Sequence, residues 1–215
     1  MAENIVEANY DVTKKSRLKK FYEKNKFYIY SFTFVSFLLF CFFMFYLENK
    51  EKNKILLSEN YLQAKIYLEG GNKDKARDIL KEVILADDPT YSTLCLFLII
   101  NQNLITDYNE LSALFDHLLA NNDFAKEERN LLIYKKALLN SNFVNESEML
   151  KSVKPLLNSE SFWKPHAMLL IGDYFASKGE NIKAIEFYEK IFTISNLHQD
   201  LYNHARSQLA IISNE

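Results

Sequence analysis

The chain has 215 residues, 48% of them hydrophobic and 25% charged, with a formal net charge of -2. That length suits one ordinary domain plus an appendage and leaves little room for two large domains. A near-neutral charge argues against a nucleic-acid binder, and two cysteines, Cys41 and Cys95, are too few for a disulfide framework.

Residues 1–26 carry Lys14, Lys15, Arg17, Lys19, Lys20, Lys24 and Lys26, 7 basic against 4 acidic residues. Residues 27–47, FYIYSFTFVSFLLFCFFMFYL, hold no charge, no Pro and no Gly. The mean hydropathy of the whole chain is only -0.19, so its apolar residues are concentrated here. At about 1.5 Å per residue this run spans roughly 30 Å, the hydrocarbon thickness of a lipid bilayer. It predicts a transmembrane helix. A cleaved signal peptide fits less well, because its apolar region is shorter, about 7–15 residues, and ends at small residues. This run ends in Phe45, Tyr46, Leu47 and Glu48. Tyr28, Tyr30 and Tyr46 stand near its ends, where an amphipathic ring suits the membrane–water interface. The basic excess before the run predicts a cytoplasmic tail, with everything after Leu47 across the membrane. That exported part, residues 48–215, is mildly acidic, with 19 basic against 24 acidic residues. The basic tail needs no nucleic acid to explain it, since lipid headgroups attract such residues.

The remainder reads as helix throughout, with apolar residues at helical spacing in short blocks parted by Asn, Asp, Gly and Ser. Nine helices are predicted, over 50–70, 72–86, 90–102, 107–121, 124–140, 145–158, 163–178, 181–195 and 198–213. Turns fall at Gly70-Gly71-Asn72, Asp87-Asp88-Pro89, Asn121-Asn122-Asp123 and Lys178-Gly179-Glu180-Asn181. Connections this short make antiparallel neighbours.

Two hairpins share one pattern. In 166–194, Gly172, Phe175, Gly179, Ala184 and Tyr188 fall at the spacing of the tetratricopeptide consensus. In 60–85, Ala64, Tyr67, Gly71, Ala76, Leu80 and Val83 occupy the same places. Small residues at Gly172 and Ala184 let the two helices approach, Phe175 and Tyr188 fill the space beside them, and Gly179 permits the turn. Ala76 and Ala184 stand 108 positions apart, near three periods of about 34. The middle then holds two degenerate hairpins, with Ala113 and Phe115 in one and Tyr134 and Ala137 in the other as packing candidates; a helical bundle without repeats is the alternative there. The fold class is all-α: a transmembrane helix, then a tetratricopeptide-like α-solenoid of about four hairpins with a C-terminal capping helix.

The basic tail, the single anchor, a helix leading into a repeat, Tyr91 opening the second hairpin and Trp163 ahead of GDYFASKGENIKAIEFYEK together resemble the bacterial inner-membrane family of ancillary SecYEG translocon subunits. The resemblance implies a periplasmic repeat domain whose partners are the SecYEG translocon and a periplasmic prolyl isomerase-type chaperone, acting around secreted-protein maturation. It also implies that the sequon Asn145-Glu146-Ser147 stays unmodified, which leaves Asn145 to cap a helix.

No catalytic pattern is found: His117, His166, His198 and His204 form no metal-ligand spacing, and no GxSxG, P-loop or GxGxxG occurs. No enzyme, cofactor or metal is expected. Binding is the positive reading, because stacked helix pairs leave a groove lined by the first helix of each pair. Tyr61, Lys65 and Leu68, with His166, Leu169, Asp173 and Ala176, are the expected groove residues; partly buried scaffold contacts are their alternative role. A structural or assembly element that self-associates through the groove or the aromatic helix is the second functional reading.

Overall fold

The computed structural model describes residues 17–213, with side chains from Lys19. Lys14 and Lys15 of the basic tail lie outside the described residues. Among the described residues there are nine helices and no strand: α1 (Arg17–Glu69), α2 (Lys73–Ile84), α3 (Pro89–Asn101), α4 (Tyr108–Asn121), α5 (Lys126–Asn140), α6 (Glu146–Leu157), α7 (Lys164–Ser177), α8 (Asn181–Ile191) and α9 (Gln199–Ser213). The chain divides into two compact units after Ile55.

Among the described residues, the first unit is the N-terminal part of α1. It is long and apolar enough to cross a membrane, and none of its apolar window is buried within the protein, which sets it apart from the core helix of a soluble domain. Within it, the Thr33 hydroxyl donates to the Ile29 carbonyl at 2.8 Å, so this polar group is satisfied inside the helix. The expected break between helices 27–47 and 50–70 is absent. Residues 48–54 contain neither Gly nor Pro, and the Lys52 ammonium meets the Glu48 carboxylate one turn away at 2.8 Å, so nothing stops the helix.

The second unit is a stack of helix pairs: α3 with α4, α5 with α6 and α7 with α8, then α9 against α7 and α8, while the end of α1 shares a core with α2 through Ala64, Ala76 and Leu80. The starts are fixed by side chains. Asp88 accepts the Thr90 and Tyr91 N–H groups at 3.0 and 2.8 Å ahead of Pro89; Asp107 accepts Glu110 N–H at 2.7 Å; Asn145 accepts Glu148 N–H at 3.0 Å. Three ends are alike. Gly71 (φ 78°), Asn103 (φ 50°) and Gly179 (φ 73°) take the left-handed conformation, and the next N–H reaches back to Tyr67, Ile99 and Phe175 at 2.8, 3.0 and 3.0 Å. Helix α8 ends at Ile191 rather than 195, because Phe192, Thr193 and Ile194 close tight bonds to carbonyls three residues back.

Two hydrophobic clusters hold the stack. One gathers Ala64, Ala76, Leu80, Leu96, Phe115 and Leu118 and reaches Leu132; the other begins at Ala137 of the same helix and gathers Met149, Leu156, Ile171, Phe175, Tyr188 and Ile191. Each such leucine or isoleucine, fully buried, contributes about 1.5–3 kcal/mol. Polar ties join the layers: the buried Ser92 hydroxyl donates to the Val83 and Ile84 carbonyls, both at 3.1 Å, and Tyr174 to the Val144 carbonyl at 3.2 Å. Ala113 is a correction: it faces solvent, because the buried stripe of α4 runs Leu111, Leu114, Phe115 and Leu118 and Ala113 points away from it.

Candidate functional site

The odd-numbered helices form one face of the repeat unit, and the repeat packing sets their spacing. Gly172 makes the closest approach. A Cβ at that position would stand 2.4 Å from Cε1 and 2.7 Å from Cδ1 of Tyr188, whose ring is fully buried. The Tyr188 hydroxyl donates to Asp173 Oδ1 at 2.8 Å. Burial first, and then this bond to a carboxylate, push the Tyr188 phenol far above its ordinary pKa. Seven residues before the left-handed glycine, the first repeat has Ala64 where the last has Gly172, and it faces its second helix with Leu80 where the last has Tyr188. Ala64, Ala76, Leu80 and Ala184 are fully buried and Phe175 nearly so; Tyr67 is half-buried.

Of the seven expected groove residues, Lys65 and Leu68 share a hollow of about 230 Å³ with Glu69, Leu98 and Gln102, between α1 and α3. Tyr61 is half-buried beside Tyr91, their rings 6.5 Å apart. Leu169 and Ala176 pack partly buried against the second core. Asp173 takes the Tyr188 hydroxyl and lies 3.4 Å from His204 Nε2, joining α7 to α8 and α9. The seven thus fall at two separate ends of the face, and Asp173 serves the scaffold.

His166 sits among rings that the groove reading left out. Tyr134 of α5 stacks on Trp163 at 5.3 Å, and His166 lies 5.1 Å from Trp163, 5.0 Å from Phe162 and 5.8 Å from Tyr134. His166 Nδ1–H donates to the Phe162 carbonyl at 3.1 Å, which leaves Nε2 as its second nitrogen. Burial lowers the His166 pKa below the ordinary histidine value, partly opposed by that carbonyl; burial also raises Tyr134, with the nearby Asp173 charge adding to it. Phe162 is 62% exposed at the edge of this cluster.

Between the two ends lies a cavity of about 310 Å³ across α3 and α5, floored by Phe97, Phe124, Leu131 and Leu132. Sequence reasoning missed it. Its signal is the spacing of Thr90, Thr93, Leu94 and Phe97, a second apolar-leaning stripe on a helix whose Ser92, Cys95, Leu96 and Ile99 already face the core. Among the described residues, no three His, Cys, Asp or Glu side chains are placed to hold a metal ion.

Paired antiparallel helices, with alternate helices side by side on one face, define a helical-repeat protein. Residues 60–89 and 165–196 match the family model of the tetratricopeptide repeat, so the first and last hairpins are tetratricopeptide repeats, which supports a protein-interaction module. No curated protein and no solved structure matches the chain.

Proposed function

We propose that the chain is a single-pass protein of a bacterial inner membrane, with a cytoplasmic N-terminus, a transmembrane span at 27–47 and a periplasmic repeat domain at 48–215. In this reading it is an ancillary subunit that links the Sec translocon to a prolyl isomerase-type chaperone during secreted-protein maturation. The observation that supports an interaction role is the odd-helix face, where the hollow at Lys65 and Leu68, the cavity at Phe97 and the ring cluster around His166 follow one another. The Sec assignment rests on the resemblance carried by Trp163 and the hairpin at 172–190. We propose Tyr61, Lys65, Leu68, His166, Leu169, Asp173 and Ala176 as contributors to this face, with Asp173 acting by holding α7, α8 and α9 together.

A photo-crosslinking residue in place of Lys65, on that face, or Phe162, at the edge of its ring cluster, tests the reading in intact membranes. Recovery of translocon or chaperone subunits supports it. Recovery of neither, or a C-terminal reporter active only in the cytoplasm, overturns it. A second reading, self-association, is favoured by Leu62 and Ile66, which are 53% and 66% exposed on the side of α1 opposite Ala64. It predicts crosslinks between copies through residue 62 or 66 and none through 65 or 162.

A further inference from the structure

The α3/α5 cavity is the feature whose opening the repeat packing leaves uncovered: Phe97, Phe124 and Leu132 belong to the first core or pack against it, while Leu94 stays exposed beside them. Helix α3 is apolar on both sides: Leu96 and Ile99 are fully buried, yet Leu94 is 41% exposed on the opposite side and, with Phe97, walls the hollow. A helix that is apolar all round is ordinarily covered all round. A volume near 310 Å³ lies at the low end of ligand pockets, about 300–1,000 Å³, which is room for one bulky side chain and not for a folded surface.

The mouth carries charge of one sign. Asp123 and Glu128 line it, and no basic residue does. The two cations nearest in sequence are engaged elsewhere. Lys126 Nζ donates to the Glu160 carbonyl at 2.6 Å, and the Arg129 guanidinium donates to the Leu119 carbonyl at 3.0 Å. Helix capping explains one oxygen of Glu128, which accepts the Ala125 N–H at 3.1 Å, but not the apolar hollow behind it. Low-dielectric walls beside two carboxylates favour a cation at the rim and an apolar group within.

The geometry points to a peptide-docking pocket between α3 and α5 that takes a bulky apolar side chain flanked by Lys or Arg, presented by an unstructured segment of a partner protein. This rests on the interaction-module reading and names the chemistry its partner presents. Leu94 and Phe97 close on the apolar side chain, while Asp123 and Glu128 meet the flanking cations. Selectivity then comes from both sides, because an acidic neighbour is repelled and a small side chain leaves the hollow unfilled.

The test uses the full chain in phosphatidylcholine nanodiscs, which carry no net charge to attract the probe, with empty nanodiscs as control. Three fluorescein-labelled heptapeptides are titrated by anisotropy: Gly-Ala-Lys-Phe-Lys-Ala-Gly, the same with Ala for Phe, and the same with Glu for both Lys. The Lys-Phe-Lys peptide is expected to bind at least tenfold more tightly than either of the others. Leu94→Lys, at an exposed position, is expected to weaken it at least tenfold, and Asp123→Lys severalfold, with unchanged melting temperatures. Equal binding of the Glu-flanked peptide, indifference to Leu94→Lys, or no binding up to about 1 mM, a free energy near -4 kcal/mol, overturns the pocket. If the pocket fails while crosslinking from residue 65 or 162 still recovers a translocon or chaperone subunit, the interaction reading stands and only this docking site falls.

Discussion

Replacing Gly172 by Ala adds one methyl group where the two helices of the last repeat lie closest. The new carbon would meet Tyr188 at 2.4 and 2.7 Å, against about 3.5–4.0 Å for carbon atoms in contact. The ring has to retreat by about an ångström to relieve this, and it is fully buried with its hydroxyl fastened to Asp173 at 2.8 Å. Overpacking of this kind costs about 1–3 kcal/mol. Ala recovers up to about 1 kcal/mol of helix propensity relative to Gly. The balance is a loss of about 1–2 kcal/mol, which for a unit of this size lowers the melting temperature by about 2–8 °C. Thermal unfolding followed by circular dichroism measures it in the full chain. The control is the same substitution in a Tyr188→Leu background, where space opens and the propensity gain dominates, so Gly172→Ala there is neutral or stabilising. A Gly172→Ala protein that melts higher than the parent, or an equal shift in both backgrounds, would refute the reasoning.

Tyr188→Phe keeps the ring and removes its hydrogen bond to Asp173; a loss of about 1 kcal/mol is expected in the urea midpoint, and no change would show the bond to be idle. Asp88→Ala strips the acceptor from the Thr90 and Tyr91 N–H groups and is expected to lower stability by about 1 kcal/mol, whereas Asp88→Asn should retain most of it. His166 has its pKa depressed in the fold, so the unfolded chain binds the proton more readily as pH falls below the free value of about 6.5. Stability from this group is therefore full above that value and declines through the window below it. His166→Gln should flatten the slope of the urea midpoint against pH there, and an unaltered slope would assign the dependence elsewhere. The buried Cys95 thiol, its pKa pushed up to about 12, should resist alkylation in the folded Cys41→Ser protein at neutral pH and react once urea unfolds it, as trapping with iodoacetamide can show.

The repeats were legible where local chemistry and tertiary packing make the same demand. Gly71 and Gly179 announce left-handed helix ends, and Ala64 and Gly172, seven residues before them, announce close helix approach. Asp88 ahead of Pro89 is a start signal that depends on nothing distant. The middle was harder to read because its second hairpin carries Leu96 seven residues before the left-handed Asn103, so the small residue that marks the other repeats is replaced by a large one. Function was less legible than fold. Asp173 looks from spacing like a groove residue, yet its partners Tyr188 and His204 come from two later helices. The ring cluster around His166 joins Tyr134 to Trp163 across 29 positions, and the α3/α5 cavity joins Phe97 to Leu131 across 34. Periodicity within one helix carries no record of such meetings.

The paired positions Ala64 with Leu80 and Gly172 with Tyr188 constrain how a repeat of this kind can diverge. The two solutions are related by one exchange of bulk, a methyl group on one helix against a phenol on the other. Neither half of the exchange is equivalent to its reverse. Starting from Gly172 and Tyr188, enlarging the glycine first collides with the ring, while shrinking the ring first leaves a hollow that the glycine can later fill. Sterics thus make the effect of each change depend on the other, a collision when the first helix changes alone and a void with a lost hydrogen bond when the second does.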